Sequence, residues 1–154
     1  MELQFFCRTF QELNLSELYQ LLQLRQEVFI VEQDCPYLDA DNKDQESTHL
    51  LGIDTNSNIL AYARILGSGL NYEGYSSIGR VVTHPKIRRT GIGKELMKEA
   101  IKLTFNQYPD DPIKISAQVY ALSFYEYFGF QNIGPEYLED DIPHQDMILK
   151  PKHG

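Results

Sequence analysis

The segment from Ile78 to Phe105 constrains the fold of this chain more than any other. It reads as a β-branched apolar run, a basic turn holding two glycines, and an amphipathic helix. The run Ile78-Gly-Arg-Val-Val-Thr83 predicts a strand that is over by Pro85, because proline supplies no ladder donor. The turn is Arg88-Arg89-Thr90-Gly91-Ile92-Gly93. Beyond it, Ile92, Leu96, Ala100 and Leu103 fall on one helical face. A helix N-terminus leaves unpaired N–H groups and a partial positive charge, and glycines let a phosphate approach that end closely. Strand, basic turn and helix in this order predict a pyrophosphate-binding site.

Two common phosphate loops are excluded. A P-loop needs Gly-Lys followed by Ser or Thr, with a second glycine five positions upstream of the first, whereas Gly93-Lys94 is followed by Glu95 and lacks that glycine. A dinucleotide fingerprint needs three spaced glycines, and the turn has two. The turn does fit Arg/Gln-x-x-Gly-x-Gly/Ala, and it closely resembles the acyl-coenzyme-A signature of the GNAT acetyltransferases. Downstream, Ile113–Val119 reads as a strand, and Ala121–Phe130 as a short helix stopped by Gly129. This stretch resembles the GNAT pattern Ala-x-x-Phe-Tyr-x-x-x-Gly-Phe at Ala121, Phe124, Tyr125, Gly129 and Phe130. Three residues before Ala121 the family usually has Asn; here Gln118 offers an amide with a different reach.

A chain of 154 residues with 42% hydrophobic content predicts one domain, residues 1–154, with a substantial core. Leu3–Thr9 reads as a strand. Asn14 and Glu17 form a capping pair for a helix through about Phe29, whose buried stripe would include Leu18, Leu21, Leu22, the stem of Arg25 and Val28. Thr48–Asp54 and Ile59–Leu66 form a hairpin across Asn56-Ser-Asn58, and the last strands fall around Gln131–Gly134 and Met147–Lys150. The order β-α-β-β-β-α-β-α-β-β predicts an α/β fold with a mixed central sheet flanked by helices. The GNAT resemblance implies the same order. The resemblance extends to the ElaA subfamily through Arg25-x-x-Val-Phe-Ile-Val-Glu-Gln-Asp-Cys-Pro-Tyr-x-Asp-x-Asp-x-x-Asp44, His49, Ala61–Leu66, and Glu139-Asp-Asp-Ile-Pro-His144 followed by Met147.

Charge narrows the partners. The net charge is −8, yet six of the 14 basic residues, Lys86, Arg88, Arg89, Lys94, Lys98 and Lys102, fall around the turn and its helix. An otherwise acidic surface argues against nucleic acid. No apolar run approaches the roughly 18–20 residues of a membrane span, and Met1-Glu-Leu-Gln carries no basic leader region. Cys7 and Cys35 form no CxxC or metal pattern, so free thiols in a cytoplasmic protein are expected. Asp39, Asp41 and Asp44 do not make a calcium loop, since an EF-hand begun at Asp39 would place Asp44 and Leu50 where Gly and Glu are required. No metal is expected. Those aspartates, with Glu136, Glu139, Asp140, Asp141 and Asp146, instead predict an acidic rim that attracts a cationic amine acceptor, either a small molecule or a peptide.

The resemblance also implies roles. Val81, Val82 and Thr83 would run beside the pantetheine arm of acetyl-coenzyme A. Arg88, Arg89, Thr90, Gly91, Ile92, Gly93 and Lys94 would take its phosphates, and Gln118 would touch it. Tyr125 would be the general acid, a phenol whose unperturbed pKa of about 10 suits protonation of an alkyl thiolate. Glu32, His49 and His144 are candidates for the general base or for substrate contacts. Arg64 and Arg80, set in apolar strands, demand buried carboxylates, with Glu32 as one candidate. Direct acetyl transfer to an amine in a ternary complex is the expected activity, since neither cysteine lies in a nucleophile motif. A non-catalytic acyl-coenzyme-A-binding regulatory module is the alternative, and family habit allows a homodimer.

Overall fold

The computed structural model describes residues 2–152. Seven strands and three α-helices follow one another as β1 (Gln4–Thr9), α1 (Leu15–Arg25), β2 (Thr48–Ile53), β3 (Ile59–Leu66), β4 (Ser77–Thr83), α2 (Ile92–Gln107), β5 (Ile113–Gln118), α3 (Leu122–Glu126), β6 (Gln131–Glu139) and β7 (Ile142–Leu149). The order is the one the sequence predicts.

The sheet is split rather than continuous. Strands β1-β2-β3-β4 form one antiparallel sheet, and β5-β7-β6 form a second. The expected parallel pairing survives only where β4 and β5 begin. There Ser76 bridges Ile113, its N–H donating to the Pro112 carbonyl at 3.1 Å and its carbonyl accepting from the Lys114 N–H at 2.9 Å. Beyond that junction the two strands no longer pair, which leaves a cleft in the middle of the molecule.

Both faces of the first sheet are covered. On one face Leu96, Met97 and Ala100 of α2 pack with Ala61, Ala63 and Ile65 of β3, and with Ile113, Ile115 and Met147 of the second sheet. On the other, Leu21 and Leu24 of α1 and Val28 just beyond it pack on Leu51, Tyr62 and Val82. All eight residues of β3 are therefore buried, as expected of a strand with covers on both sides.

Helix α1 opens with the predicted capping box. Asn14 accepts from the Glu17 N–H at 2.8 Å, and Glu17 accepts from the Asn14 N–H at 3.0 Å. Its α-helical part ends at Arg25, short of Phe29, and continues as a π-helical turn over Gln26–Glu32. The wider spacing shows in Gln33 N–H bonding Val28 carbonyl and Cys35 N–H bonding Ile30 carbonyl. Leu24 joins the buried stripe, Leu18 and Leu22 stay at its edge, and the whole of Arg25 is buried rather than its stem alone.

The last two strands are longer than the sequence reading. Their turn is Asp140-Asp141, with φ of 51° and 61°, a left-handed pair that Asp tolerates without glycine. A bulge between Ile133 and Tyr137 absorbs Pro135, and Gln145 Nε2 donates to the Ile133 and Gly134 carbonyls across it.

Candidate active site

The cleft between the diverging strands is a cavity of about 490 Å³. Ile78–Val81 of β4 form one wall and Ile115–Gln118 of β5 another, with Tyr125 of α3 and His144 of β7 also lining it. Its shape begins with a bulge in β4. Between the pairs Arg64↔Gly79 and Tyr62↔Val82, the two residues Arg80 and Val81 face the single residue Ala63. Arg80 takes φ of 51°, which costs a non-glycine residue about 1 kcal/mol or more. Its guanidinium anchors that conformation through the Asp39 carboxylate at 2.8 Å, the Asp39 carbonyl at 3.1 Å and Asp41 at 3.4 Å.

These contacts belong to a larger buried network. Arg25 donates to Asp39 and Asp44 at 2.8 Å each, and Arg64 to both oxygens of Asp41 at 2.8 Å and to Asp44 at 2.9 Å. Arg25 and Arg64 are 0% and 2% exposed. Burial opposes ionisation of Asp41 and Asp44, but hydrogen bonds from the arginines hold both carboxyls below the usual range. The expected partner of Arg64 and Arg80, Glu32, is elsewhere. Two of the three aspartates expected on an acidic rim, Asp39 and Asp44, are buried, and all three are spent on arginine. Nothing in a pattern of acidic residues separates a solvated rim from the counterions of buried arginines fourteen or more positions away.

The basic turn lies beyond the cavity, after a short 3₁₀ turn at Pro85–Ile87. Arg89 and Gly91 have φ of 65° and 86°. Gly91 offers no side-chain cap to α2, so the N–H groups of Ile92, Gly93 and Lys94 have no intrahelical acceptor. A Cβ on Gly91 would meet nothing within 4 Å, and one on Gly93 only Phe124 at 4.0 Å. Glycine there leaves an empty cradle against exposed donors, which fits a phosphate group of acyl-coenzyme A. Thr90 Oγ1 donates to the Ile87 carbonyl, and the Lys94 ammonium sits 4.3 Å from the centre of the Tyr127 ring. Arg88 is engaged by Glu32, with bonds of 2.5 and 2.8 Å that draw the Glu32 carboxyl below its normal range.

The remaining predicted residues divide. The side chains of Val82 and Ile92 point into the core, so each offers only its backbone to a ligand, while Val81 lines the cavity and Thr83 is half-buried further along β4. Gln118 lines it too and donates to Gln33 at 3.3 Å. Tyr125 packs edge-on against Phe124 and Phe130, and burial pushes its hydroxyl up to about 12. His49 is sealed in the core, with Nδ1 bonded to Tyr62 at 2.6 Å and Nε2 to the Asp44 carbonyl at 2.9 Å; burial lowers its pKa. It cannot reach a ligand in the cavity. His144 can. Its Nδ1 donates to the Ile142 carbonyl at 2.7 Å, and Nε2 lies 3.5 Å from Glu139, which also lines the cavity. Lys43, Asn71 and Tyr72 complete the wall. Sequence reading missed them, because they sit in loops without periodicity and reach the cavity only through folding.

The GNAT acetyltransferase domain family matches residues 18–151. The chain is 42% identical to ElaA of Escherichia coli over 138 residues, which cover 88% of this chain and 89% of that protein. The crystal structure of Escherichia coli ElaA superimposes with a TM-score of 0.88 at 38% identity, covering 95% of this chain and 98% of that one. An acyl-CoA N-acyltransferase from Pseudomonas aeruginosa superimposes with a TM-score of 0.89 at 40% identity, over 96% and 99% of the two chains. With its basic glycine turn and its split-sheet cavity, the chain belongs to the GNAT acetyltransferase family, on the ElaA-like branch.

Proposed function

We infer that the protein is an N-acetyltransferase that moves the acetyl group of acetyl-coenzyme A directly to a primary amine in the central cavity. The observation that carries this reading is the meeting of Val81, Tyr125 and His144 on one cavity at the end of a strand that leads to the phosphate cradle. Backbone donors at Ile92–Lys94 hold the phosphates, and β4 directs the pantetheine arm inward past its bulge. A carbonyl oxygen only accepts, so the bond from His144 Nδ1 to Ile142 leaves Nε2 to take a proton. The neutral amine attacks the thioester carbon, and a β4 N–H holds the oxygen as its charge develops. The C–N bond forms, the amine proton passes to His144 Nε2, and Glu139 steadies the imidazolium. The C–S bond breaks, and Tyr125 gives its proton to the departing sulfur.

Burial keeps the Tyr125 hydroxyl protonated at physiological pH, so it carries the proton that the departing sulfur takes. A cofactor-binding module that does not turn over would need the cradle but neither Tyr125 nor His144 in the cavity. Tyr125→Phe tests the assignment. We expect kcat to fall by about 10²-fold or more, with acetyl-coenzyme A affinity unchanged by calorimetry. A variant rate equal to that of the wild type would remove Tyr125 from the chemistry.

A further inference from the structure

The loop side of the cavity carries a single uncancelled charge. Arg25, Arg64 and Arg80 are matched one for one by Asp39, Asp41 and Asp44, so the buried network is neutral as a whole. What remains on that wall is Lys43. Its ammonium bonds the side-chain oxygen of Asn71 at 2.5 Å, and no carboxylate among the described residues pairs with it. An amide oxygen is a neutral partner and leaves the cation's charge available to a ligand.

Lys43 is also held in place. Its N–H donates to Asp41 at 3.1 Å, and its carbonyl accepts from the Ser47 hydroxyl at 2.6 Å and the Glu46 N–H at 3.3 Å. Asp41 is clamped in turn by Arg64. The network therefore offers no free charge of its own but fixes the loop that presents one. Beside the ammonium, the Asn71 amide brings N–H donors of its own. An ammonium and an amide N–H side by side suit a carboxylate, one oxygen to each. The side of the cavity built by β6 and β7 carries Glu139 and His144, where the reacting amine loses its proton.

We propose that the acceptor is a primary amine that also bears a carboxylate, which Lys43 and Asn71 hold while the amine faces His144. The proposal rests on the amine-transfer reading above and departs from the expectation of a cationic acceptor drawn in by an acidic rim, whose charge Lys43 would repel. The carboxylate takes no part in bond making. Amine, thioester and protons change as already described, and the gain is orientation of the nitrogen toward the thioester carbon.

The test is thiol release from acetyl-coenzyme A with three acceptors of matched length: γ-aminobutyrate, butylamine and putrescine. We expect kcat/KM for γ-aminobutyrate to exceed the other two by about tenfold or more, the value of one charge-assisted hydrogen bond. Lys43→Gln should bring that ratio toward one, Lys43→Arg should retain most of it, and Lys43→Glu should turn the preference toward putrescine. Putrescine used as well as γ-aminobutyrate by the wild type, or equal losses on all three acceptors in Lys43→Gln, would overturn the proposal and leave amine transfer standing. If none of the three is turned over while calorimetry shows acetyl-coenzyme A bound, the transfer reading itself falls, and the proposal with it.

Discussion

The glycine turn at 88–93 and the loop at 39–44 sit at the two ends of one proposed reaction path, and they are held in opposite ways. The turn is local. Its conformation comes from left-handed Arg89 and Gly91, and its useful groups are backbone N–H donors with no intrahelical acceptor. The loop is held from a distance. Arg25, Arg64 and Arg80 reach it from one helix and two strands, and nearly all its charge is consumed in holding it there. The end that meets a shared cofactor needs little more than backbone, which many sequences can supply. An acceptor end needs placed side chains, and these demand a buried scaffold to hold them.

The contrast can be broken most forcefully at the network. Truncating one member of a buried ion cluster leaves another charge unpaired, at a cost of about 3–5 kcal/mol. We expect Arg64→Ala to lower unfolding stability by that amount in denaturant titrations. A loss under about 1 kcal/mol would place the cluster with surface ion pairs. The same groups give a pH signature. The folded pKa values of Asp41 and Asp44 are depressed, so their contribution is complete above the unfolded value of about 4 and is lost as pH falls below it. The wild type should therefore lose stability steeply in acid, and Arg64→Ala should flatten that slope. Equal slopes would show that the network does not set the titration.

A smaller effect belongs to the turn. Arg88 is bound to Glu32, and both side chains are about 40% exposed. Removing the carboxylate frees a cation beside the phosphate cradle. We expect Glu32→Gln to tighten acetyl-coenzyme A binding a few-fold while stability moves by less than about 1 kcal/mol. Weaker binding would mean that the pair orders the turn for its ligand.

How much could be read in advance follows the same division. The strand, turn and helix from Ile78 to Phe105 were legible because their determinants are contiguous: β-branched residues, two glycines and a helical apolar face. The element order followed from equally local patterns, while Tyr125 was singled out by the resemblance to the family motif rather than by any local pattern. The demand of Arg64 and Arg80 for buried carboxylates was legible, but not which ones, since Asp39 and Arg80 lie 41 positions apart. Splitting of the sheet was not visible either. It depends on where β4 and β5 stop pairing, and neither strand carries a mark for that. The extra length of β6 and β7 was masked by Asp140-Asp141, a turn made without glycine.

The most direct measurement is a calorimetric titration of acetyl-coenzyme A into the wild type and into Gly91→Asp. That substitution puts a side chain on a left-handed backbone and a carboxylate in the phosphate cradle. We expect micromolar binding to the wild type and none to the variant, with both proteins folded by circular dichroism. Wild-type protein that does not bind acetyl-coenzyme A, or a folded variant that binds it equally well, would contradict the assignment of this turn as the cofactor site.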